Sequence, residues 1–438
     1  MKFLRACGLG LLAFVFFCTR VQAEGFAMQE WSARGLGMAG SVAGMADDVS
    51  ALAYNAAGIT QLPGVNLMGG GALVAPLGTV KTERRDGAHY TTTKPKVWFA
   101  PHAYASYQLN DNVWLGLGAF SRFGLGNSYD GEWNGRYNVY DIGVQTLSFV
   151  PTLAYKINNM FSVSAGLEVM YASLYMGTKI PMMSLTQQGM PGPLQDNDMQ
   201  LQGDGWGYGA HLGLHMRLND QWSVGLAYKS QVTLNVSGDV EFSRQGQNLL
   251  TNPGRFSSVI PKRHLPEARN TDAHTTIQLP DSAALGIAWK PLDNLSLEAD
   301  VMWTRWSTYN ALNIYMDSGY SSINNKEWRD GWSFSLGAEY KPLDWWALRA
   351  GFRYETPVVN EEYADYMIPT NGRQMLTLGT GVKWNDFTLD FAYVHIWVNP
   401  VDYGSTRSSG IRGDAGITGG RTENVVGNIY MLSLGYAF

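Results

Sequence analysis

The sequence predicts an all-β fold: a transmembrane antiparallel β-barrel of about 14 strands with an N-terminal plug, or hatch, inside the lumen. Three observations support this prediction. The last residues alternate between apolar and small side chains, short polar turns separate alternating segments, and no apolar run of membrane-spanning length follows residue 23. Helices and closed barrels are the structures that cross a bilayer with every backbone group paired, which leaves the barrel.

The final segment, residues 428–438, has the pattern expected of a strand between lipid and a lumen. Successive side chains of a strand point to opposite faces. One face carries the apolar residues Tyr430, Leu432, Leu434, Tyr436 and Phe438, and mostly small residues lie between them. Because soluble proteins avoid an exposed apolar edge strand, we expect Tyr436 and Phe438 to close the barrel against its first strand.

Residues 1–23 have the features of a secretory signal peptide. A basic start precedes an apolar run from about residue 9 to residue 17, and Val21-Gln-Ala23 is a small-x-small cleavage site. Both cysteines, Cys7 and Cys18, lie in this segment, so we expect no disulfide in the mature chain. The 32 basic and 37 acidic residues do not favour nucleic-acid binding.

Residues 24–62 are interpreted as the hatch, and residues 63–438 as the barrel. Small residues dominate the first segment without a sustained period of two, so it suits packing in a confined space better than a strand. Gly35-Leu-Gly-Met-Ala-Gly40 matches G-x-G-x-x-G, but a cleavage site precedes it where a dinucleotide fold needs a strand. Asp47 and Asp48 are expected to cap a short helical turn.

From Val65 onward, short polar turns alternate with longer polar stretches. Each short turn separates two alternating segments, which is the pattern of a hairpin. The short turns lie at 110–112, 158–159, 219–220, 293–294, 343–344 and 385–386. The longer stretches lie near 81–95, 124–142, 176–205, 241–275, 311–329, 357–371 and 399–425. Together they define about 14 strands with both termini on the short-turn side.

The strand faces predict a polar lumen without catalytic chemistry. His211 and His215 share one face of a strand, and four residues of extended chain separate them by roughly 13 Å, too far for one metal ion. Inward carboxylates such as Glu298 and Asp300 are interpreted as charge ladders that anchor a plug rather than as a catalytic pair. We therefore predict no catalytic residue, no metal site and no cofactor.

The stretch 176–205 is rich in methionine, a flexible and polarizable side chain that suits varied apolar ligands. Its methionines are Met176, Met182, Met183, Met190 and Met199. Two interpretations stay open. The stretch is either a loop that packs on its neighbours or an apolar ligand-capture loop that faces the outside.

Beyond its signal segment, the chain resembles the FadL family of outer-membrane transporters for hydrophobic compounds. The similarity lies in the order of several segments rather than in one motif. These are Gly25-Phe26, Ala46-Asp47-Asp48, Tyr129-Asp-Gly-Glu-Trp-Asn-Gly-Arg-Tyr137, Pro151-Thr-Leu-Ala-Tyr-Lys156, Leu279-Pro-Asp281, Asp300-Val-Met-Trp-Thr-Arg-Trp-Ser307 and Leu336-Gly-Ala-Glu-Tyr340. The resemblance implies a multi-pass protein of the outer membrane whose barrel is plugged by the hatch.

The resemblance also implies a route. A hydrophobic molecule is captured on outer loops, passes to a pocket beside the hatch and leaves sideways at a kink in the third strand. The kink corresponds to Ser121-Arg-Phe-Gly124, after the glycine-rich run Leu115-Gly-Leu-Gly118. The family's Asn-Pro-Ala hatch motif corresponds to Asn55-Ala-Ala57, where alanine replaces proline. Because a charge facing lipid is costly, we expect Arg122 to point inward or to lie near the interface.

The sequence therefore predicts passive uptake of hydrophobic molecules, with long-chain fatty acids first and aromatic or alkane hydrocarbons second. The expected partners are this ligand, outer-membrane lipid and lipopolysaccharide, and we expect a monomer. Two alternatives of other classes remain open. A lipid-modifying barrel enzyme would need a nucleophile and a base within hydrogen-bond reach, and a non-selective porin would need a lumen free of the hatch.

Overall fold

Twenty β-segments build the wall in the part of the chain that the computed structural model describes, residues 25–185, 191–244, 269–319, 321–404, 406–407 and 416–438. The segments are β1 (Val65–Arg84), β2 (Gly87–Thr92), β3 (Trp98–Gln108), β4 (Val113–Phe120), β5 (Gly124–Ser128), β6 (Asp141–Lys156), β7 (Phe161–Leu185), β8 (Pro191–Arg217), β9 (Trp222–Lys229), β10 (Val232–Phe242), β11 (Thr271–Leu279), β12 (Ser282–Leu292), β13 (Leu295–Thr304), β14 (Ala311–Met316), β15 (Ser321–Asn325), β16 (Gly331–Leu343), β17 (Trp346–Glu355), β18 (Arg373–Trp384), β19 (Phe387–Val398) and β20 (Ile417–Ala437). The predicted signal peptide, residues 1–23, lies outside the described residues.

These segments form fourteen wall strands, because six of the strands consist of two segments separated by a bend. The composite strands are β2 with β3, β4 with β5, β9 with β10, β11 with β12, β13 with β14, and β15 with β16. Neighbouring strands are antiparallel, and β20 pairs with β1 along nearly its whole length. The barrel is therefore closed, which confirms the predicted fold. All six predicted short turns join neighbouring strands.

Alternation along the strands separates an apolar outer surface from a packed lumen. On β20, Leu432 and Leu434 are 51% and 52% exposed, whereas Met431 and Ser433 are each 1% exposed. An outer surface of this kind suits contact with lipid chains. Among the described residues, no helix combines the length and the apolar content needed to cross a membrane.

The strands reach farther than expected on one side of the barrel. We expected residues 81–95 and 176–205 to be loops, but β1 and β2 pair through most of the first stretch, and β7 and β8 through most of the second. The loop prediction was wrong because backbone pairing continues through polar residues in the first stretch, and because buried apolar residues continue to alternate in the second. Leu174, Met176 and Leu201 are all buried on the inner face, and this fixes the register of the extended hairpin.

Residues 25–62 lie inside the barrel and contain three short helices. They are α1 (Ala33–Gly37), α2 (Ala51–Tyr54) and a 3₁₀ helix (Ala56–Gln61). Two further 3₁₀ helices, Trp306–Thr308 and Glu361–Tyr363, lie in connections between wall segments.

The inner segment is bonded to distant parts of the wall. Ala33 N donates a hydrogen bond to Ser433 Oγ on β20, at 2.9 Å. Thr60 Oγ1 donates to Ser162 Oγ on β7, at 2.8 Å. The segment therefore crosses the lumen from one side of the barrel to the other.

Candidate functional site

The third wall strand is broken between β4 and β5. Pairing of β4 with β3 ends where Phe120 lies opposite His102. After Ser121, Arg122 and Phe123, β5 pairs with β6 and, among the described strands, with no segment of the second wall strand. The wall is therefore open between β3 and β5, at the position where the sequence predicts a kink.

This opening, which we call the window, has edges formed by residues 95–101 and 121–127. The paired residues His102 and Phe120 bound it on one side. On the other side the two strands meet again, since Lys94 N donates a hydrogen bond to Ser128 O at 2.7 Å. The window is thus a closed gap within the wall rather than a frayed strand end.

Two aromatic rings cover glycines beside the window. Gly126 on β5 lies opposite Gly143 on β6, which lies opposite Tyr175 on β7. A Cβ atom at Gly126 would overlap the indole of Trp98, and one at Gly143 would overlap the ring of Tyr175. The rings of Trp98 and Tyr175 are stacked, with centroids 6.4 Å apart. Glycine is required at both positions because the rings occupy the space of a side chain.

The start of the hatch seals the window from inside through backbone hydrogen bonds. Met28 N donates to Arg122 O at 2.8 Å, and Gly124 N donates to Phe26 O at 3.0 Å. Ala27 and Phe123 form an antiparallel bridge. The hatch tip, residues 25–28, therefore takes the place of the strand that the break leaves unpaired.

An aromatic cluster holds the hatch tip. The ring of Phe26 lies 4.8 Å from Trp306, 5.7 Å from Tyr309, 5.9 Å from Trp328 and 6.1 Å from Phe123. Gly25 adopts a φ of +47°, and a Cβ atom there would overlap Trp306. The sequence did not indicate Trp306, Tyr309 or Trp328 as partners of Phe26, because no local pattern joins residues so far apart in the chain.

Arg122 points into the lumen and is 3% exposed. Its guanidinium donates to Glu168 Oε2, and more weakly to the backbone oxygens of Ser230 and Pro280, at 3.3 Å and 3.4 Å. Glu168 also accepts a hydrogen bond from Ser148 Oγ at 2.6 Å. These contacts keep the charge at the window away from lipid.

Glu168 has a third partner, His211, whose Nε2 lies 3.0 Å from Glu168 Oε2. His215 lies farther along β8, with Nε2 2.9 Å from Gly44 O of the hatch. The two histidines therefore have separate structural partners in the lumen.

Carboxylates of β13 bind the backbone of the hatch. Asp300 Oδ2 accepts hydrogen bonds from the N–H groups of residues 42 and 43, at 3.2 Å and 3.1 Å. Glu298 accepts from those of residues 44 and 45, at 2.5 Å and 2.9 Å. Four successive backbone donors are thus paired by two buried carboxyl groups, which agrees with an anchoring role.

Asp47 and Asp48 bind an arginine of the hatch. Arg34 Nη1 lies 2.6 Å from Asp47 Oδ1 and 3.0 Å from Asp48 Oδ2, and Arg34 Nε lies 3.0 Å from Glu339 Oε2. Ser50 occupies the N-cap position of α2, and Asp48 Oδ1 accepts from Ser50 N at 2.7 Å. The expected cap is therefore indirect, and the acids chiefly hold Arg34.

Asn55 joins α2 to the 3₁₀ helix, whose first two residues are Ala56 and Ala57. Asn55 Nδ2 donates to Ala43 O and to Leu214 O, both at 3.0 Å. Asn55 is extended, with φ −147° and ψ 94°, and Ala56 begins the 3₁₀ helix at the position of the family's proline.

A cavity of about 480 Å³ runs from the hatch tip through the window. Its inner part is lined by lumen residues that include Ala100 and Ile368, each 6% exposed. Its outer part is lined by Phe99, which is 62% exposed, and by the exposed residue Gln145. Because residues of both faces of the wall line one cavity, the cavity reaches the outer surface through the window, and the hatch tip forms part of its lining.

A second cavity, of about 30 Å³, lies beside the first and shares Phe26 and Leu125 with it. Its lining is apolar except for Lys326 and the hydroxyl of Tyr309. Lys326 is buried in an ion pair with Asp365. The lumen wall next to the window is therefore mainly apolar, and its Lys326 is neutralised by Asp365.

Met176 and Met199 lie on β7 and β8, and each is 4% exposed within the apolar cluster of the lumen. Met182 and Met183 belong to β7, but their side chains are outside the described part, and Met190 lies outside the described residues. The predicted ligand-capture loop thus contributes at least Met176 and Met199 to the lumen lining. Its role in capture stays a prediction.

Of the two residues predicted to close the barrel, Tyr436 lies on β20 and Phe438 directly follows it. Tyr436 lies opposite Leu67 of β1 and Phe387 of β19. Phe438 N donates to Val65 O at 2.8 Å. The end of the chain is therefore bonded to the first residue of the first strand.

Comparisons with known proteins agree with this geometry. A sequence model of the family described as "Outer membrane protein transport protein (OMPP1/FadL/TodX)" matches residues 14–438. The long-chain fatty acid transport protein of Escherichia coli O6:H1 is 26% identical, over 88% of this chain and 90% of the relative.

Two solved structures are similar in fold. A FadL homologue of Pseudomonas aeruginosa has a TM-score of 0.79 at 20% identity, covering 95% of this chain and 100% of that one. The toluene transporter TbuX of Ralstonia pickettii has a TM-score of 0.68 at 19% identity, covering 94% and 99%. The family match spans the wall, the hatch and the window together, and the chain belongs to the OMPP1/FadL/TodX family of outer-membrane transport proteins.

Proposed function

We propose that this chain carries hydrophobic molecules passively across the outer membrane, with long-chain fatty acids as the first substrate class and aromatic or alkane hydrocarbons as the second. The name of the E. coli relative supports the first class, and that of the Ralstonia transporter supports the second. We place fatty acids first because the fatty acid transport protein is 26% identical to this chain, whereas the toluene transporter is 19% identical.

The observation that carries the proposal is the cavity of about 480 Å³ that is lined by both faces of the wall. An apolar molecule gains about 0.8 kcal/mol for each CH₂ group that leaves water. A water-filled pore offers no such gain, whereas an apolar cavity that opens toward lipid offers it at both ends of the route. Transport down a concentration gradient then needs no energy source.

The proposed route has three steps. The ligand is captured on the outer side, where the hairpin of β7 and β8 extends, and enters the cavity of about 480 Å³ beside Phe26. Release of the hatch tip breaks its two backbone hydrogen bonds with Arg122 and Gly124. Each such bond contributes a net of about 1 kcal/mol, and Phe26 must also leave its aromatic cluster. The carboxylates of β13 would still hold the body of the hatch. The ligand then leaves through the window into lipid.

We assign transport rather than catalysis to these residues. The buried histidine and carboxyl groups beside the route hold Arg122 and the hatch backbone in place. We also propose that the barrel acts as a monomer whose exposed apolar surface contacts lipid and lipopolysaccharide.

A cross-link across the window tests the exit step. Phe99→Cys on β3 and Gln145→Cys on β6 place thiols on opposite sides of the window, in a chain whose own cysteines both precede residue 24. With a bismaleimide bridging them, we expect binding of a labelled long-chain fatty acid to persist and its uptake into cells to stop.

The matched control joins two residues of the intact wall. Leu73→Cys with Phe99→Cys links register partners of β1 and β3 without spanning the window. This cross-link should leave uptake unchanged. Undiminished uptake with the window cross-link confirmed by mass would mean that the ligand leaves by another path, such as through the hatch.

A further inference from the structure

Three hydrogen-bond donors point toward the cavity from one edge of the window. Lys94, Lys96 and Trp98 all line the cavity, whereas Val97 does not line it and is 65% exposed.

This edge has more donors than acceptors. Lys96 Nζ bonds to both oxygens of Asp141, at 2.7 Å and 3.0 Å, and lies over the rings of Trp98 and Tyr175. Lys94 has no ion-pair partner within the described ranges. Trp98 Nε1 is buried and, among those residues, has no hydrogen-bond acceptor. Of these three donors, only Lys96 is paired with a carboxylate among the described residues.

Cations deeper along the route are already neutralised. Lys326 is paired with Asp365, and Arg122 with Glu168. Arg373, which lines the inner cavity, lies 2.6 Å from Glu355. A ligand carboxylate placed beside any of these pairs would add an unbalanced buried charge, which is unfavourable. At the window edge the same carboxylate would meet an excess of positive charge.

We propose that Lys94, Lys96 and Trp98 form a carboxylate-recognition edge of the window, which binds the head group of a long-chain acid while its apolar chain occupies the cavity. The inference rests on the proposed lateral route and narrows its substrate class to amphipathic acids. Both lysines contribute charge, and the indole N–H contributes a directed hydrogen bond. Asp141 competes with the ligand for Lys96.

The test compares two ligands that differ only in the head group. Palmitate and hexadecanol are titrated into the purified full-length barrel in a non-ionic detergent, at a pH where the acid is ionised. We expect Lys94→Gln and Lys96→Gln each to weaken palmitate binding by about three- to tenfold, which corresponds to roughly 0.7–1.4 kcal/mol. Hexadecanol should bind each variant as it binds the wild type.

A reciprocal variant gives an effect that general damage cannot produce. Asp141→Asn removes the competitor of the ligand, so palmitate should bind several-fold more tightly while hexadecanol is unchanged. Trp98→Phe keeps an aromatic ring and removes the N–H, and should weaken palmitate selectively. Lys383→Gln, an exposed position at the far end of β18, is the matched charge control and should change neither ligand.

The outcomes separate this inference from the function on which it rests. If the wild type binds neither ligand, the proposed function fails. If both ligands bind but the lysine variants weaken them equally, the lysines support the shape of the cavity rather than recognise the head group, and the inference is overturned. Unchanged palmitate affinity in Lys94→Gln and Lys96→Gln also overturns it.

Discussion

At the scale of single residues, Arg122 shows how a charge is accommodated at an opening toward lipid. The break in the third strand turns its side chain inward, where Glu168 neutralises it and two backbone oxygens accept its remaining hydrogen bonds. Those oxygens belong to Ser230 and Pro280, which lie at the bends of two other wall strands. The side chain of Arg122, at the bend of the third strand, is thus hydrogen-bonded to the bends of two other strands.

Removal of Arg122 should therefore destabilise the barrel. Arg122→Gln leaves Glu168 buried with only neutral partners, and breaking a buried pair in this way costs about 3–5 kcal/mol. Urea unfolding in lipid vesicles, followed by tryptophan fluorescence, measures this loss. Arg217→Gln is the control, because its pair with Asp220 is exposed and contributes less than about 1 kcal/mol.

A double variant distinguishes loss of the pair from a poorly packed side chain. Arg122→Met combined with Glu168→Gln removes both charges, and we expect it to recover a large part of the stability lost in Arg122→Gln. Equal stabilities of wild type and Arg122→Gln would contradict the view that this pair stabilises the window.

At the scale of elements, the sequence predicts what depends on local order. Strand alternation and polar turns are properties of neighbouring residues, so the six turns and the inward direction of His211 follow directly from them. The extended hairpin of β7 and β8 differs from the prediction because a polar residue does not end a strand whose backbone stays paired, and here the pairing continues through several polar residues.

The window could not be predicted from strand periodicity alone. The position of the window was predicted from the family resemblance. The residues at its edge could not be predicted, because they depend on which part of the chain lies against Gly126. A glycine in a strand signals a bend or a close approach, but the partner that approaches, Trp98, is fixed only by the register of the closed barrel. The aromatic residues around Phe26 were missed for the same reason.

The last strand carries a prediction at this scale. Phe438 is 72% exposed on the outer surface, and its backbone N–H binds Val65 O. Deletion of Phe438 removes this closing contact and an apolar side chain at the seam, so we expect less folded barrel in the outer membrane. Heat-modifiable mobility on gels, with Trp384→Ala as a control for loss of an exposed aromatic, measures the yield. A normal yield from the truncated chain would contradict the closing role.

At the scale of the whole molecule, the hatch and the wall form one structure through contacts between distant parts of the chain. Carboxylates of β13 bind four backbone donors of the hatch, and Glu339 of β16 binds Arg34. The tip, by contrast, is held by two backbone hydrogen bonds and aromatic packing. In the proposed route, a firmly bound body with a separately held tip would let the window open without opening the lumen to water.

Conductance of single barrels in a planar bilayer tests this division. Deletion of residues 25–62 should leave a folded barrel with a steady ion conductance well above that of the intact protein, because the polar groups that bind the hatch would then face water. Deletion of residues 25–28 alone should keep conductance low, because the anchors of the hatch body remain, while it opens the window on the lumen side.

If the long deletion conducts no better than the intact chain, the hatch does not block the lumen, and the aromatic cluster above it would be the barrier. If the short deletion conducts as well as the long one, the tip and the body do not act separately.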